Sequence, residues 1–100
     1  MTQVHITMNR ATEGHVSIEG HAGNGLVCAA ISTLTGATLN TLGDAAHNVV
    51  YESGHVEFDV QFTDGLQMGA FNVLMEAFEM LSESFPEGVG VTIASASDLQ

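Results

Sequence analysis

The sequence of 100 residues contains no lysine, one arginine, one cysteine, one proline and no tryptophan. Because Arg10 stands alone against 12 acidic residues, the net charge is −11, and the surface should repel nucleic acid phosphates and anionic lipids. Cys28 is the single cysteine, so the chain cannot form an internal disulfide. A free thiol is typical of proteins in a reducing compartment. We expect a cytoplasmic protein without a nucleic acid or membrane partner. The same charge attracts basic peptides, although it also simply maintains solubility.

Long apolar runs are also missing. No unbroken run approaches the roughly 20 residues that cross a bilayer, and residues 1–5 do not resemble the start of a secretory signal. The apolar fraction of 45% nevertheless excludes a disordered chain. We predict one domain over residues 1–100, small enough for dimerisation to reinforce its thin core.

The hydrophobic periodicity predicts seven elements in the order β-β-α-β-β-α-β. Alternation such as Val56, Phe58, Val60 against Glu57 and Asp59 is typical of half-buried strands. A spacing of three or four residues is typical of helices. The predicted strands cover 3–9, 15–19, 47–51, 55–62 and 89–93, the helices 26–42 and 66–85, and a frayed tail 94–100. The predicted class is α+β, a mostly antiparallel sheet with two helices on one face.

Two titratable residues flank the first predicted helix. His21 lies in the glycine-rich segment 20–25, and Cys28 lies in the first helical turn, for which Asn24 is a suitable N-cap and Gly43 a suitable stop. First-turn amides and the positive end of the helix dipole stabilise a thiolate and can hold an oxyanion. A neighbouring imidazole assists nucleophilic attack. The alternative is a buried cysteine and a solvated histidine without catalytic roles.

Two sequence blocks carry a family resemblance. Gly20-His21-Ala22-Gly23, followed by Val27-Cys28-Ala29-Ala30-Ile31-Ser32-Thr33-Leu34, resembles the signature of the ribosomal-processing cysteine protease family, Prp. The resemblance implies that His21 is the catalytic histidine, that Cys28 is the nucleophile and that Ser32 lines the site. It further implies a substrate-binding role for the segment around the dyad. The substrate-binding residues are then Gly20, Ala22, Gly23, Asn24, Gly25 and Ser32.

The resemblance also implies partners. Members of the family are homodimers that remove a short basic N-terminal extension from a protein of the large ribosomal subunit, and some phages use the activity on capsid proteins. A basic extension complements a chain of net charge −11. Ribosome biogenesis is then the expected context, and no cofactor or metal is expected.

The sequence departs from the family pattern in the loop between the two blocks. This loop is shorter than in the family, and Gly25 stands where the family usually has an aspartate. Asp44 and Asp64 are candidates for the missing acid only if the fold brings them close. The departures leave open a non-catalytic, protein-binding relative. A thiol redox or acyl-transfer enzyme ranks last, because no second cysteine or cofactor loop is present.

The remaining histidines, His5, His15, His47 and His55, fall near predicted strands. A zinc site from His5, His15 and a carboxylate is conceivable across the first hairpin. Its spacing matches no established ligand pattern, so solvated strand histidines are the favoured interpretation.

Overall fold

Five strands and two helices follow one another in the predicted order β-β-α-β-β-α-β in the computed structural model, which describes residues 1–95. A short 3-10 turn, Gly43–Ala45, follows the first helix. The elements are β1 (Thr2–Arg10), β2 (Glu13–Glu19), α1 (Gly25–Leu42), β3 (Ala46–Glu52), β4 (His55–Gln61), α2 (Gly65–Ser84) and β5 (Val89–Ser95). The α+β class is confirmed.

The strands form one sheet in the order β3-β4-β2-β1-β5. Three neighbouring pairs are antiparallel, and β5 runs parallel to β1, so the prediction of a mostly antiparallel sheet is confirmed. The parallel pair is tied at its start by a hydrogen bond from the Thr2 amide to the Gly88 carbonyl, with 2.9 Å between nitrogen and oxygen. The polypeptide therefore brings its first and last strands together.

The core lies between one face of the sheet and the two helices. Strand alternation directs Val4, Val16 and Phe58 inward, and each is completely buried. Phe71 and Phe78 reach the same core from α2, and the Phe71 ring packs on Phe62 at a centroid distance of 5.2 Å. Each such side chain contributes about 1.5–3 kcal/mol of burial free energy. This core fixes the sheet against which α1 is positioned.

Helix α1 begins and ends where its caps predict. The Asn24 side chain accepts hydrogen bonds from the Leu26 and Val27 amides, and Gly43 terminates the helix with φ of 54°. The positive φ is easily adopted only by glycine. The side chains of α1 that face the core are Val27, Ile31, Thr35, Thr38 and Leu42.

Helix α1, together with the 3-10 turn after it, meets the length and hydropathy criteria for a membrane-spanning helix, although it contains no long unbroken apolar run. Gly25–Ala45 is long and apolar enough to cross a bilayer by length and composition, with a mean hydropathy of 1.3. The expectation from run length is therefore incomplete, because threonine, serine, glycine and asparagine interrupt the apolar run without adding charge. A helix with one face against a sheet satisfies the same criterion, so this is weak evidence for a membrane span.

Element boundaries differ from the predicted ones by two residues at two places and by at most one residue elsewhere. The first hairpin turns at residues 11–12 and not at 12–14, because Arg10 already pairs with Glu13. The last strand continues to Ser95, because it pairs with β1 from Thr2 as far as Met8. Residues 94 and 95 thus belong to β5, and the rest of the predicted tail, 96–100, lies outside the described residues.

The open face of the sheet, on the side away from the helices, is polar. His15 is held between two carboxylates of β4, with Nδ1 2.6 Å from Asp59 Oδ1 and Nε2 3.0 Å from Glu57 Oε2. Hydrogen bonds from Asn48 and His15 lower the pKa of Asp59 from its usual range. His5 pairs with Ser17 and not with His15, so the hairpin does not place those two histidines opposite each other.

Candidate active site

His21 follows the end of β2 and lies against the β3–β4 turn. The Gly20 amide donates to the Gly54 carbonyl at 2.9 Å, which joins the end of β2 to that turn. A Cβ built on Gly54 would lie 2.8 Å from His21 Nε2, so the imidazole occupies the space that a side chain at Gly54 would need. The His21 side chain is otherwise exposed. Its position thus depends on a glycine from another hairpin.

Cys28 lies in the first turn of α1 and is half-buried, with a free thiol. The Ala22 amide donates a hydrogen bond to its sulfur, with 3.3 Å between nitrogen and Sγ. This contact fixes the position of the sulfur relative to the loop that carries His21. The loop residue next to His21 therefore contacts the sulfur directly.

The first-turn amides do not serve as the sequence predicts. Asn24 Oδ1 accepts from the amides of Leu26 and Val27, at 2.9 and 3.4 Å. The Cys28 amide is bonded to the Asn24 carbonyl at 3.0 Å. These three donors are already occupied because the N-cap satisfies them. The amide that reaches the sulfur comes from Ala22 in the preceding loop.

His21 and Cys28 line the same open cavity, which has a volume of about 460 Å³. Its floor is apolar, and its rim is formed by the helix on one side and the β3–β4 turn on the other. The lining residues are Thr2, Ile18, Gly20, His21, Cys28, Ala29, Ile31, Ser32, Tyr51, Glu52, Ser53, Gly54 and Val56. The cavity is large enough for one or two side chains of a peptide.

Sequence reasoning missed the contribution of residues 51–54. Tyr51 donates from its hydroxyl to the Ser32 carbonyl at 2.8 Å, connecting β3 to α1 across the cavity. Glu52 is the acidic residue among those lining the cavity. The turn itself is predicted from Glu52-Ser53-Gly54, but its location beside His21 follows only from the pairing of β4 with both β2 and β3.

The other predicted site residues divide between two cavities. Gly20 and Ser32 line the cavity that His21 and Cys28 also line. Ala22 and Asn24 line a neighbouring cavity of about 450 Å³ that extends toward Phe85. Two further predicted residues, Gly23 and Gly25, line neither of these cavities, and a Cβ at either would meet open space.

Neither of the two acidic residues considered as partners for His21, Asp44 and Asp64, lines the cavity that contains His21 and Cys28. The Asp64 carboxylate caps α2 by accepting from the Gln67 amide at 2.9 Å. Asp44 lies in the 3-10 turn after the C-terminal end of α1, whereas Cys28 lies at its N-terminal end. Among the residues that line this cavity, Glu52 carries the carboxylate.

A free thiol in the first turn of a helix and an imidazole lining the same open cavity are the groups that a thiol-dependent hydrolase requires. The family is identified by the sequence. The family model described as cysteine protease Prp matches residues 1–90. The chain belongs to this family of cysteine proteases, as the resemblance predicts. No curated protein sequence matches the chain.

Solved structures share the fold. The ribosomal processing protease Prp from Staphylococcus aureus, in complex with a covalently linked product peptide, has a TM-score of 0.78 at 20% identity, covering 93% of this chain and 99% of that one. The same protease with a substrate peptide has a TM-score of 0.72 at 19% identity, with the same coverage. SMU.848 from Streptococcus mutans has a TM-score of 0.74 at 24% identity and covers 95% of each chain.

Proposed function

We propose that the chain is a cytoplasmic endopeptidase in which Cys28 is the nucleophile and His21 the general base and acid. The observation that carries this proposal is that both side chains line one open cavity, with a hydrogen bond from the Ala22 amide to the Cys28 sulfur. The resemblance of both sequence blocks to the Prp signature supports the same pair. The proposed substrate is a short basic N-terminal extension of a large-subunit ribosomal protein.

The first half of the reaction forms a covalent intermediate. The Cys28 thiolate attacks the carbonyl carbon of the scissile peptide bond, and the carbonyl oxygen becomes an oxyanion. The protonated His21 donates its proton to the leaving nitrogen, the C–N bond breaks, and a thioester to Cys28 remains. The product peptide covalently linked to the Staphylococcus aureus protease is consistent with such a step in that protein.

The second half regenerates the thiol. His21, now neutral, takes a proton from water as the water oxygen attacks the thioester carbonyl. The carbon–sulfur bond breaks, the carboxylic acid product leaves, and the sulfur and imidazole return to their initial state. In both halves the Ala22 amide lies beside the reacting sulfur, with 3.3 Å between its nitrogen and Sγ.

The charge of the chain supports a basic substrate. The net charge is −11, and Glu52 contributes a carboxylate to the rim of the dyad cavity. Attraction between such a surface and a peptide rich in lysine or arginine increases the association rate and weakens as salt is added. A capsid protein with a basic extension is an alternative substrate with the same chemistry.

The test is peptide cleavage by the wild-type protein and three variants. Wild type should cleave a peptide with the basic ribosomal extension, and both Cys28→Ala and His21→Gln should lose at least about a thousandfold in kcat/KM. His5→Ala, an exposed histidine on the open face, is the matched control and should retain wild-type activity. Cleavage that survives in Cys28→Ala disproves the dyad.

A second outcome would favour the non-catalytic relative that the short loop suggests. In that outcome, the wild-type protein binds the extension peptide but does not cleave it.

Homodimerisation, which the family resemblance implies, is a separate proposal. Sedimentation equilibrium of the wild-type protein tests it, because a homodimer has twice the mass of the chain.

A further inference from the structure

The open face of the sheet carries a cluster of ligand-type side chains that the proposed protease chemistry does not use. Glu19 at the end of β2 pairs directly with His55 at the start of β4. Glu57 lies two residues along β4 on the same face, because side chains alternate along a strand. These three side chains are partly exposed and therefore accessible to solutes.

The three side chains converge on a small volume. One oxygen from Glu19, one ring nitrogen from His55 and one oxygen from Glu57 all lie within 4.8 Å of one another. His55 Nε2 and Glu57 Oε1 are already 3.1 Å apart. Ligand atoms around tetrahedral Zn²⁺ are separated by roughly 3.3–3.5 Å, as bond lengths of about 2.0–2.2 Å require. Small side-chain rotations therefore bring all three into a coordination sphere.

The second carboxylate oxygen of Glu57 is held by the imidazole of His15, which lies outside the three-residue cluster. Glu57 Oε2 lies 3.0 Å from His15 Nε2, and His15 Nδ1 lies 2.6 Å from Asp59 Oδ1. Asp59 also accepts a hydrogen bond from Asn48 at 2.9 Å. Chains of this kind, in which a ligating carboxylate is itself hydrogen-bonded, orient ligands in metal sites. The arrangement fixes Glu57 with its other oxygen turned toward His55.

We propose that Glu19, His55 and Glu57 bind a divalent transition-metal cation of the Zn²⁺ class, with His15 as a positioning residue for Glu57. Two carboxylates and a neutral imidazole supply a charge of about −2, which matches a divalent ion. The imidazole nitrogen selects Zn²⁺, Co²⁺ or Ni²⁺ over Ca²⁺ and Mg²⁺, which favour oxygen ligands. Water completes the coordination.

The location of this site connects it to the cavity on the other side of the sheet. Glu19 precedes Gly20 and His21, and His55 follows Gly54, which the His21 ring contacts. A cation bound here links the two strand ends that hold His21 over Gly54. The inference does not depend on the proposed protease function, because binding is measurable without substrate.

Titration calorimetry with ZnCl₂, on untagged protein carrying Cys28→Ala, tests the proposal. Removing the thiol eliminates Zn²⁺ binding between Cys28 and His21, so the remaining heat reports the open-face site. We expect one Zn²⁺ per chain. Adding His55→Ala or Glu57→Gln should weaken binding by at least about tenfold, and His15→Ala by roughly 10-fold to 100-fold. His5→Ala, on the same face outside the cluster, should not change it.

Bound Co²⁺ provides an independent readout. Its visible absorption should appear with the Cys28→Ala protein and disappear with the added His55→Ala substitution, while circular dichroism shows that both proteins are folded. The proposal is overturned if no Zn²⁺ binds, or if the His55→Ala and His5→Ala proteins bind it equally tightly. Binding that requires Cys28 would instead assign the metal to the dyad cavity.

Discussion

The amide of Ala22 donates a hydrogen bond to the sulfur of Cys28, with 3.3 Å between the two atoms. The contact joins the loop that carries His21 to the helix that carries the thiol. The sulfur is therefore held next to the loop that carries His21 before any substrate binds.

Alkylation tests the proposed role of Cys28 as nucleophile, which requires a thiol more reactive in the folded protein than in the unfolded chain. We expect iodoacetamide to modify Cys28 in native protein at pH 6 at least about tenfold faster than in urea-unfolded protein, where the Ala22 contact is lost. The unfolded chain is the matched control because it has the same single thiol. Equal rates in the two states would contradict an activating role for the fold.

Substitution of Gly54 tests the position of His21. Gly54→Ala introduces a Cβ 2.8 Å from His21 Nε2 at a residue with φ of 79°, so the imidazole must move. Displacement of a catalytic group by about 1 Å can cost about a hundredfold in rate. We expect kcat/KM for the extension peptide to fall by at least about tenfold.

Gly43→Ala separates this displacement from backbone strain. Gly43 also has a positive φ, of 54°, but a Cβ there meets open space. Both substitutions should destabilise the protein by at least about 1–2 kcal/mol, because an L-residue adopts these positive φ angles only with strain. Only Gly54→Ala should impair cleavage, and an equal loss of activity in both variants would refute the contact between Gly54 and His21.

Two buried threonines of α1 provide a matched pair for stability. The Thr35 hydroxyl is buried without a hydrogen-bond partner among residues 1–95, whereas the Thr38 hydroxyl donates to the Leu34 carbonyl at 2.8 Å. Thr35→Val should therefore stabilise the protein by about 1 kcal/mol, since it removes an unsatisfied polar group. Thr38→Val should destabilise it by about 0.5–1.5 kcal/mol.

Urea unfolding of the two valine variants against wild type gives the free energies directly. The comparison is controlled because both substitutions replace a hydroxyl by a methyl group in the same helix. A loss of stability in Thr35→Val equal to that in Thr38→Val would show that the Thr35 hydroxyl has a partner.

The hydrogen bond from Tyr51 to Ser32 joins β3 to α1 across the cavity that contains His21 and Cys28. Removing it tests whether this contact maintains the shape of the cavity. Tyr51→Phe removes the hydroxyl that donates to the Ser32 carbonyl. Because the tyrosine is half exposed, at 49%, we expect a loss of at most about 1 kcal/mol in unfolding free energy. KM should rise more than kcat falls, since β3 is less firmly held to α1. An unchanged KM would exclude a role for this contact in substrate binding.

Features decided by neighbouring residues are predictable from the sequence. Alternation along β4, the Asn24 cap and the Gly43 stop follow from side-chain preferences over a few positions, and the structure confirms them. The resemblance places His21 and Cys28 on one loop and one helix. Their common cavity follows from the short segment between them.

Features decided by strand order are not predictable in the same way. Glu52 and Gly54 join the cavity only because β4 lies between β3 and β2, and such pairing depends on residues far apart in sequence. The sequence reasoning also missed that the Asn24 side chain accepts hydrogen bonds from first-turn amides, which are then not available to the Cys28 sulfur. Register, too, separates His5 from His15.

The pairing of β5 with β1 determines when the enzyme can mature during its own translation. Thr2 lines the dyad cavity and is bound to Gly88, so this wall of the cavity requires both segments. A nascent chain emerges from its N-terminus, and contacts between distant segments form late. Proteolytic competence should therefore arise only after β5 has left the ribosomal tunnel.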